Sequence, residues 1–216
     1  MIGFLRKDFY TMAALYKKNL LLVLALYTAM TLVMHVTFLL YMLVWMMGFY
    51  GLSASTVDDS CGWDRYARTL PASAWQAVGA RFVMTLGMMV LAALFGVVIG
   101  FLNSRIHGDD YAETLLMLGI VSSAALLFMG PLLAGAYKWG VEKVRNGFFV
   151  LFMAACLLPP ALSRVGITGG NALQGLTRWL DRQAPAVLVA LLLAVALTVC
   201  FLSYLAACRI YRRKEF

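Results

Sequence analysis

Five stretches of the 216-residue chain carry no Asp, Glu, Lys or Arg: Leu20–Val57, Phe82–Ser104, Thr114–Tyr137, Asn146–Ser163 and Gln183–Cys208. About 20 apolar residues in a helix cross the roughly 30 Å hydrocarbon core of a bilayer. A barrel strand would alternate apolar and polar residues, and these stretches are continuously apolar. Four of them therefore predict one span each. The first has 38 residues, too many for one span, and predicts two helices, Leu20–Met34 and Thr37–Ser55, joined by a tight turn near His35-Val36-Thr37. Neither Gly nor Pro marks that turn, so the charge pattern serves as an independent check. Six spans with an internal N-terminus place 14 Lys and Arg inside and 4 outside, whereas five spans give 8 and 10. Lys and Arg concentrate in cytoplasmic loops. The prediction is an all-α polytopic membrane protein with six transmembrane helices, both ends cytoplasmic, forming one domain over 1–216.

Composition excludes a soluble alternative. Hydrophobic residues make up 63% and charged residues 13%, too few charges to build the polar shell of a soluble domain. The net charge of +8 follows from topology and does not point to nucleic acid. Cys61, Cys156, Cys200 and Cys208 form no spaced framework for disulfides or zinc. The N-terminal apolar stretch runs into a second span without a small-residue cleavage site, unlike a signal peptide.

Two segments outside the spans have helical amphipathic spacing. Ile2, Leu5, Phe9, Met12 and Tyr16 share one face of a helix, which predicts an interfacial helix over 1–18 ahead of the first span. Leu173, Leu176, Trp179 and Leu180 predict another within the external segment 163–184. Pro131, Pro159 and Pro160 lie in or near spans four and five and should kink or end them.

The longest cytoplasmic loop, 58–81, holds the densest set of distinctive residues. Ser73-Ala74-Trp75-Gln76 fits a capping box and predicts a short helix leading to the third span. Pro71 separates it from the preceding segment. Trp63, Tyr66, Leu70 and Trp75 beside charges fit a protein-binding surface, or an aromatic belt at headgroup level. A second cytoplasmic loop, Tyr137–Gly147, carries Lys138, Gly140, Glu142, Lys143 and Arg145.

Missing chemistry narrows the function. None of the predicted spans holds an ionisable Asp, Glu, Lys or Arg of the kind that relays protons or ions, which argues against secondary transport. His35 and His107 are too few for a catalytic metal site. G-x-S-x-G is absent, and so is G-x-x-x-x-G-K-[ST], so the chain is not expected to be an enzyme or to hydrolyse ATP itself. An energy source on another chain is expected.

Three blocks add specificity: Leu5-Arg6-Lys7-Asp8, then Asp59-Ser60-Cys61-Gly62-Trp63-Asp64-Arg65-Tyr66-Ala67-Arg68-Thr69-Leu70-Pro71-Ala72-Ser73, then Pro131 followed by Tyr137-Lys138-Trp139-Gly140-Val141-Glu142-Lys143-Val144-Arg145. In this order the chain resembles the permeases of type-two ATP-binding-cassette exporters, especially the compact bacterial six-span branch, which includes exporters similar to those for peptide toxins and bacteriocins. Cys61 departs from that branch, where Lys or Ser is more frequent. The resemblance implies that the loop carries the coupling helix that docks on the ATPase, with Asp59, Gly62, Trp63, Asp64, Tyr66, Thr69, Leu70, Pro71, Ser73, Trp75 and Gln76 as its residues. It implies an elbow helix over 1–18, an outer gate region within Asn171–Leu180, and a dimer with a second copy or a sister permease. ATP and Mg would sit on the partner ATPase, and the location would be the bacterial inner membrane. The expected function is a permease subunit that exports hydrophobic or amphipathic peptides or drugs by alternating access. The alternatives are a membrane scaffold or assembly protein and an ion-coupled secondary transporter.

Overall fold

The computed structural model describes residues 2–63, 66, 73–164 and 185–213. Among them the regular elements are six α-helices: α1 (Ile2–Met34), α2 (Phe38–Cys61), α3 (Ala74–His107), α4 (Tyr111–Trp139), α5 (Val141–Arg164) and α6 (Pro185–Arg213). Five of them, all but α5, are long and apolar enough to cross a membrane. α5 has 24 residues. The external segment predicted at 163–184 lies outside the described residues beyond Arg164, so the outer gate region within it does too.

The turn between the first two helices falls at 35–37, as the run length requires. His35 makes it, adopting φ 60°, a left-handed conformation that stops a helix without Gly or Pro. Met34 ends α1 and Phe38 starts α2.

Helix extents depart from expectation in two places. The amphipathic segment 1–18 and the first span form one continuous helix of 33 residues. The short helix predicted after Ser73 is likewise the first turns of α3, which has 34 residues. At about 1.5 Å per residue each is roughly 50 Å long, well beyond the roughly 30 Å apolar core. Backbone hydrogen bonding continues into the polar region, because a helix needs no break where the solvent changes. Pro131 is accommodated inside α4.

α4 is central, packing against α2, α3, α5 and α6, and most extensively against α6. The α4–α6 approach is close because Gly130 has no side chain: a Cβ there would lie 3.0 Å from the Cys200 Cα. Gly51 of α2 likewise receives Thr85 of α3, whose Oγ1 would sit 2.5 Å from an added Cβ. Small residues at helix crossings are how apolar helices gain contact in lipid, where the hydrophobic effect does not drive them together. The middle of the bundle is filled by Leu43, Met47, Met89, Leu118 and Met129. The end bearing the chain termini is filled by Leu52, Phe82, Leu133, Cys208 and Tyr211.

At the opposite end, the turn after α1 meets the connection from α3 to α4. His35 Nε2 is 3.1 Å from an Asp109 carboxylate oxygen, and the His35 and His107 rings lie 4.6 Å apart. Asn103 donates to the same carboxylate at 3.2 Å. Both histidines thus help to fasten the two connections together.

Candidate functional site: a charged junction beneath the long loop

Where α1, α2 and α3 meet at the terminus-bearing end, four charged side chains converge. Asp8 comes from α1, Asp58 from the last turn of α2, and Arg81 from the second turn of α3. All three residues are buried, with exposures of 4%, 7% and 6%. The Arg81 guanidinium donates through Nη2 to Asp58. Its Nε lies 3.3 Å from an Asp8 oxygen, an ion-pair contact without the alignment of a hydrogen bond. Lys7 completes the set, donating to both Asp58 oxygens at 2.6 Å and lying 2.9 Å from Asp8.

Two cations face two carboxylates, so the junction is formally neutral. That balance is the condition for burial, since an unpaired ion loses several kcal/mol of hydration. The lid over it is aromatic: the Lys7 ammonium sits 4.6 Å from the Trp63 ring centroid, and Trp63 packs on Tyr66 at 5.4 Å. Tyr137 and Tyr211 line the same small pocket, bringing α4 and α6 to it.

None of these charges lies within a predicted apolar run; they sit where the helices extend beyond those runs. Asp8, Asp58 and Arg81 all belong to helices that continue into the apolar run, and they bury against one another at the end of the bundle. The sequence showed Lys7-Asp8, Asp58 and Arg81 only as residues flanking spans. Their common signal was position, since Asp58 and Arg81 bound the long loop on its two sides.

A family model described as ABC-2 family transporter protein matches residues 3–212. The chain belongs to the ABC-2 transporter family. Comparison with curated proteins and with solved structures returned no significant match. ABC-2 membership together with five apolar membrane-length helices makes this a multi-pass membrane protein. It also implies an ATPase subunit as partner.

In this ABC-2 protein the residues expected to dock the ATPase separate into distinct environments. Asp59 lies in the last turn of α2. Gly62 follows that helix at φ 65°, the left-handed geometry that commonly ends helices and favours glycine. Trp63 is partly buried over the charged junction, while Tyr66 is 57% exposed. Asp64, Thr69, Leu70 and Pro71 lie outside the described residues. Ser73 is the N-cap of α3, as expected, but its side chain makes no capping bond. Its carbonyl accepts instead, from the Gln76 amide at 2.9 Å, so the predicted capping box does not form. Gln76 is exposed.

Trp75 is only partly free. Its ring meets Tyr204 of α6 edge-on at 5.5 Å, its carbonyl accepts from the Tyr204 hydroxyl at 3.2 Å, and Arg212 lies over it at 5.3 Å. This link from the start of α3 to α6 carried no signal in the sequence beyond the aromatic residues themselves.

The second loop is much shorter than expected. α4 ends at Trp139 and α5 starts at Val141, leaving Gly140 alone between them. Gly140 adopts φ 84°, ψ 155°, and its amide bonds the Ala136 carbonyl at 3.0 Å. That region of backbone space is essentially open to glycine only. Lys138 is therefore on α4, and Glu142, Lys143 and Arg145 are exposed on the first turns of α5.

Proposed function

We propose that this chain is the permease subunit of an ATP-binding-cassette exporter and that the charged junction transmits movement of the 58–81 segment into the bundle. The observation that carries the reading is the Asp58–Arg81 pair in a chain matched to the ABC-2 family over residues 3–212. The two roots of the long segment are joined to each other and, through Asp8 and Lys7, to α1. A separate ATPase gripping that segment would pull on three helices together. ATP binding and hydrolysis, with Mg, belong to that partner.

In this reading the chain crosses the bacterial inner membrane six times with both ends cytoplasmic, α5 being the fifth span. It works as a dimer with a second copy or a sister permease. The segment 1–18, the first half of α1, serves as the elbow. Alternating access moves hydrophobic or amphipathic cargo outward along walls rich in Leu, Met and Phe, whose flexible or flat side chains adapt to varied apolar surfaces. The junction pairs both of its carboxylates with cations, leaving neither free to bind a driving ion, which favours an external motor over ion coupling.

The test is copurification of the ATPase with variants at exposed positions of the segment. Tyr66→Asp and Gln76→Arg change none of the four charged residues of the junction. They are expected to lower ATPase recovery while leaving membrane insertion unchanged. Undiminished recovery in both variants would place the docking surface elsewhere.

A further inference from the structure

The terminus-bearing end of the bundle has a second feature, unconnected with the charged junction. An open groove of about 490 Å³ runs between α4 and α5 from Phe128 down to Trp139, with Gly147 leaving its α5 side open. Its wall is apolar except for one charged side chain, Lys143, at the loop end. Trp139, 60% exposed, stands at the same level. Lys138 lies 4.8 Å from its ring on the other side, where a neighbouring groove begins.

We propose that this groove is a binding site for an anionic phospholipid of the adjacent leaflet, one acyl chain lying in the groove and the phosphate meeting Lys143 and Lys138. The length agrees. From Phe128 to Trp139 the helix rises roughly 16 Å, close to half of the roughly 30 Å core, which is the depth of one leaflet. The vertical order agrees as well: apolar and aromatic residues deep, then an indole and two ammonium groups together at the loop end, matching acyl chain and headgroup region. Glu142, the neighbouring acid, lines an adjoining pocket that Lys143 also borders, but it does not line the groove, where Lys143 is the charged side chain.

Charge also separates the lipid from the other occupant of matching shape, a second copy of the chain. In a two-fold dimer the same face meets itself, and here that would set Lys138 and Lys143 against their own counterparts on a chain of net charge +8. An anionic headgroup is the complementary partner. The proposal does not depend on the transport reading, because a lipid can bind whether or not an ATPase does.

The experiment is native mass spectrometry of the full chain, purified in mild detergent and offered equal amounts of phosphatidylglycerol and phosphatidylcholine with identical acyl chains. The wild type should retain the anionic lipid in preference. Lys143→Gln should reduce that preference about fivefold, the effect of one basic side chain at a lipid surface, and Lys143→Arg should keep it. Gly147→Leu fills the groove from a position where an added Cβ meets nothing within 4 Å, and it should lose retention of both lipids. Equal retention of the two lipids by the wild type overturns the proposal. So does unchanged retention in Gly147→Leu, or a Gly147→Leu effect confined to the monomer–dimer ratio, which would make the groove an interface between copies.

Discussion

Asp58 and Arg81 stand 23 residues apart in sequence and are hydrogen-bonded in the structure, closing the base of the longest segment outside the apolar runs. The contact turns a stretch that composition marks as a loop into one with rigidly joined ends. It is also where α1 is fastened by charge, through Lys7 to Asp58 and Asp8 to Arg81, to the two helices it packs against.

Breaking this junction from one side is expected to be costly. Asp58→Asn leaves the buried Arg81 guanidinium without its hydrogen-bonded counter-charge, a loss of about 3–5 kcal/mol. Lys7→Ala should cost less, about 1–3 kcal/mol, because the Lys7 side chain is 21% exposed and water can reach the carboxylates it leaves. Unfolding midpoints in detergent measure both. The Asp58→Asn/Arg81→Gln pair should lose less than the sum of its single variants, since each removes the other's unpaired charge.

Two glycines on neighbouring helices should respond oppositely to the same change. Gly130→Ala drives a methyl group to 3.0 Å from the Cys200 backbone and should destabilise by about 1–3 kcal/mol through overpacking. Gly147→Ala enters open space and should gain about 0.5–1 kcal/mol from helix propensity. Thermal unfolding of the two variants under one set of conditions gives the comparison.

At Gly140 the cost is in the backbone itself. With φ 84° and ψ 155°, Gly140→Ala should lose about 1–3 kcal/mol although no neighbouring atom obstructs the new methyl group. A further sign would be faster proteolysis between α4 and α5, where a strained link opens more readily.

Cys61 reports the orientation. It is exposed at the end of α2, while Cys200 and Cys208 are buried. A membrane-impermeant maleimide should label Cys61 in inside-out vesicles and leave it unlabelled in intact cells. Labelling from outside would reverse the proposed topology and remove the long segment from reach of a cytoplasmic ATPase.

Much of the scaffold was legible because it follows from local rules. Run lengths located α2, α4 and α6 and the turn at 35–37, since the bilayer imposes a minimum apolar length. Ser73 was legible as a helix start, being a preferred N-cap residue. Its hydrogen bond was not, because a serine oxygen at that position competes with backbone turns of similar energy. The extents of α1 and α3 were misjudged for a related reason: charge marks where a helix leaves the apolar layer and carries no instruction for the helix to stop.

The amino-acid sequence by itself determined that the chain lives in a membrane, how its apolar helices succeed one another, and which family it resembles, because each depends on residues adjacent in the chain or on a single averaged property. Only the tertiary structure decided which charges are buried. Asp8, Asp58 and Arg81 each look like an ordinary solvated flank in one dimension. Together with Lys7 they become a neutral cluster only when three helices bring them into contact, where leaving one charge unpaired would cost more than the contact itself provides.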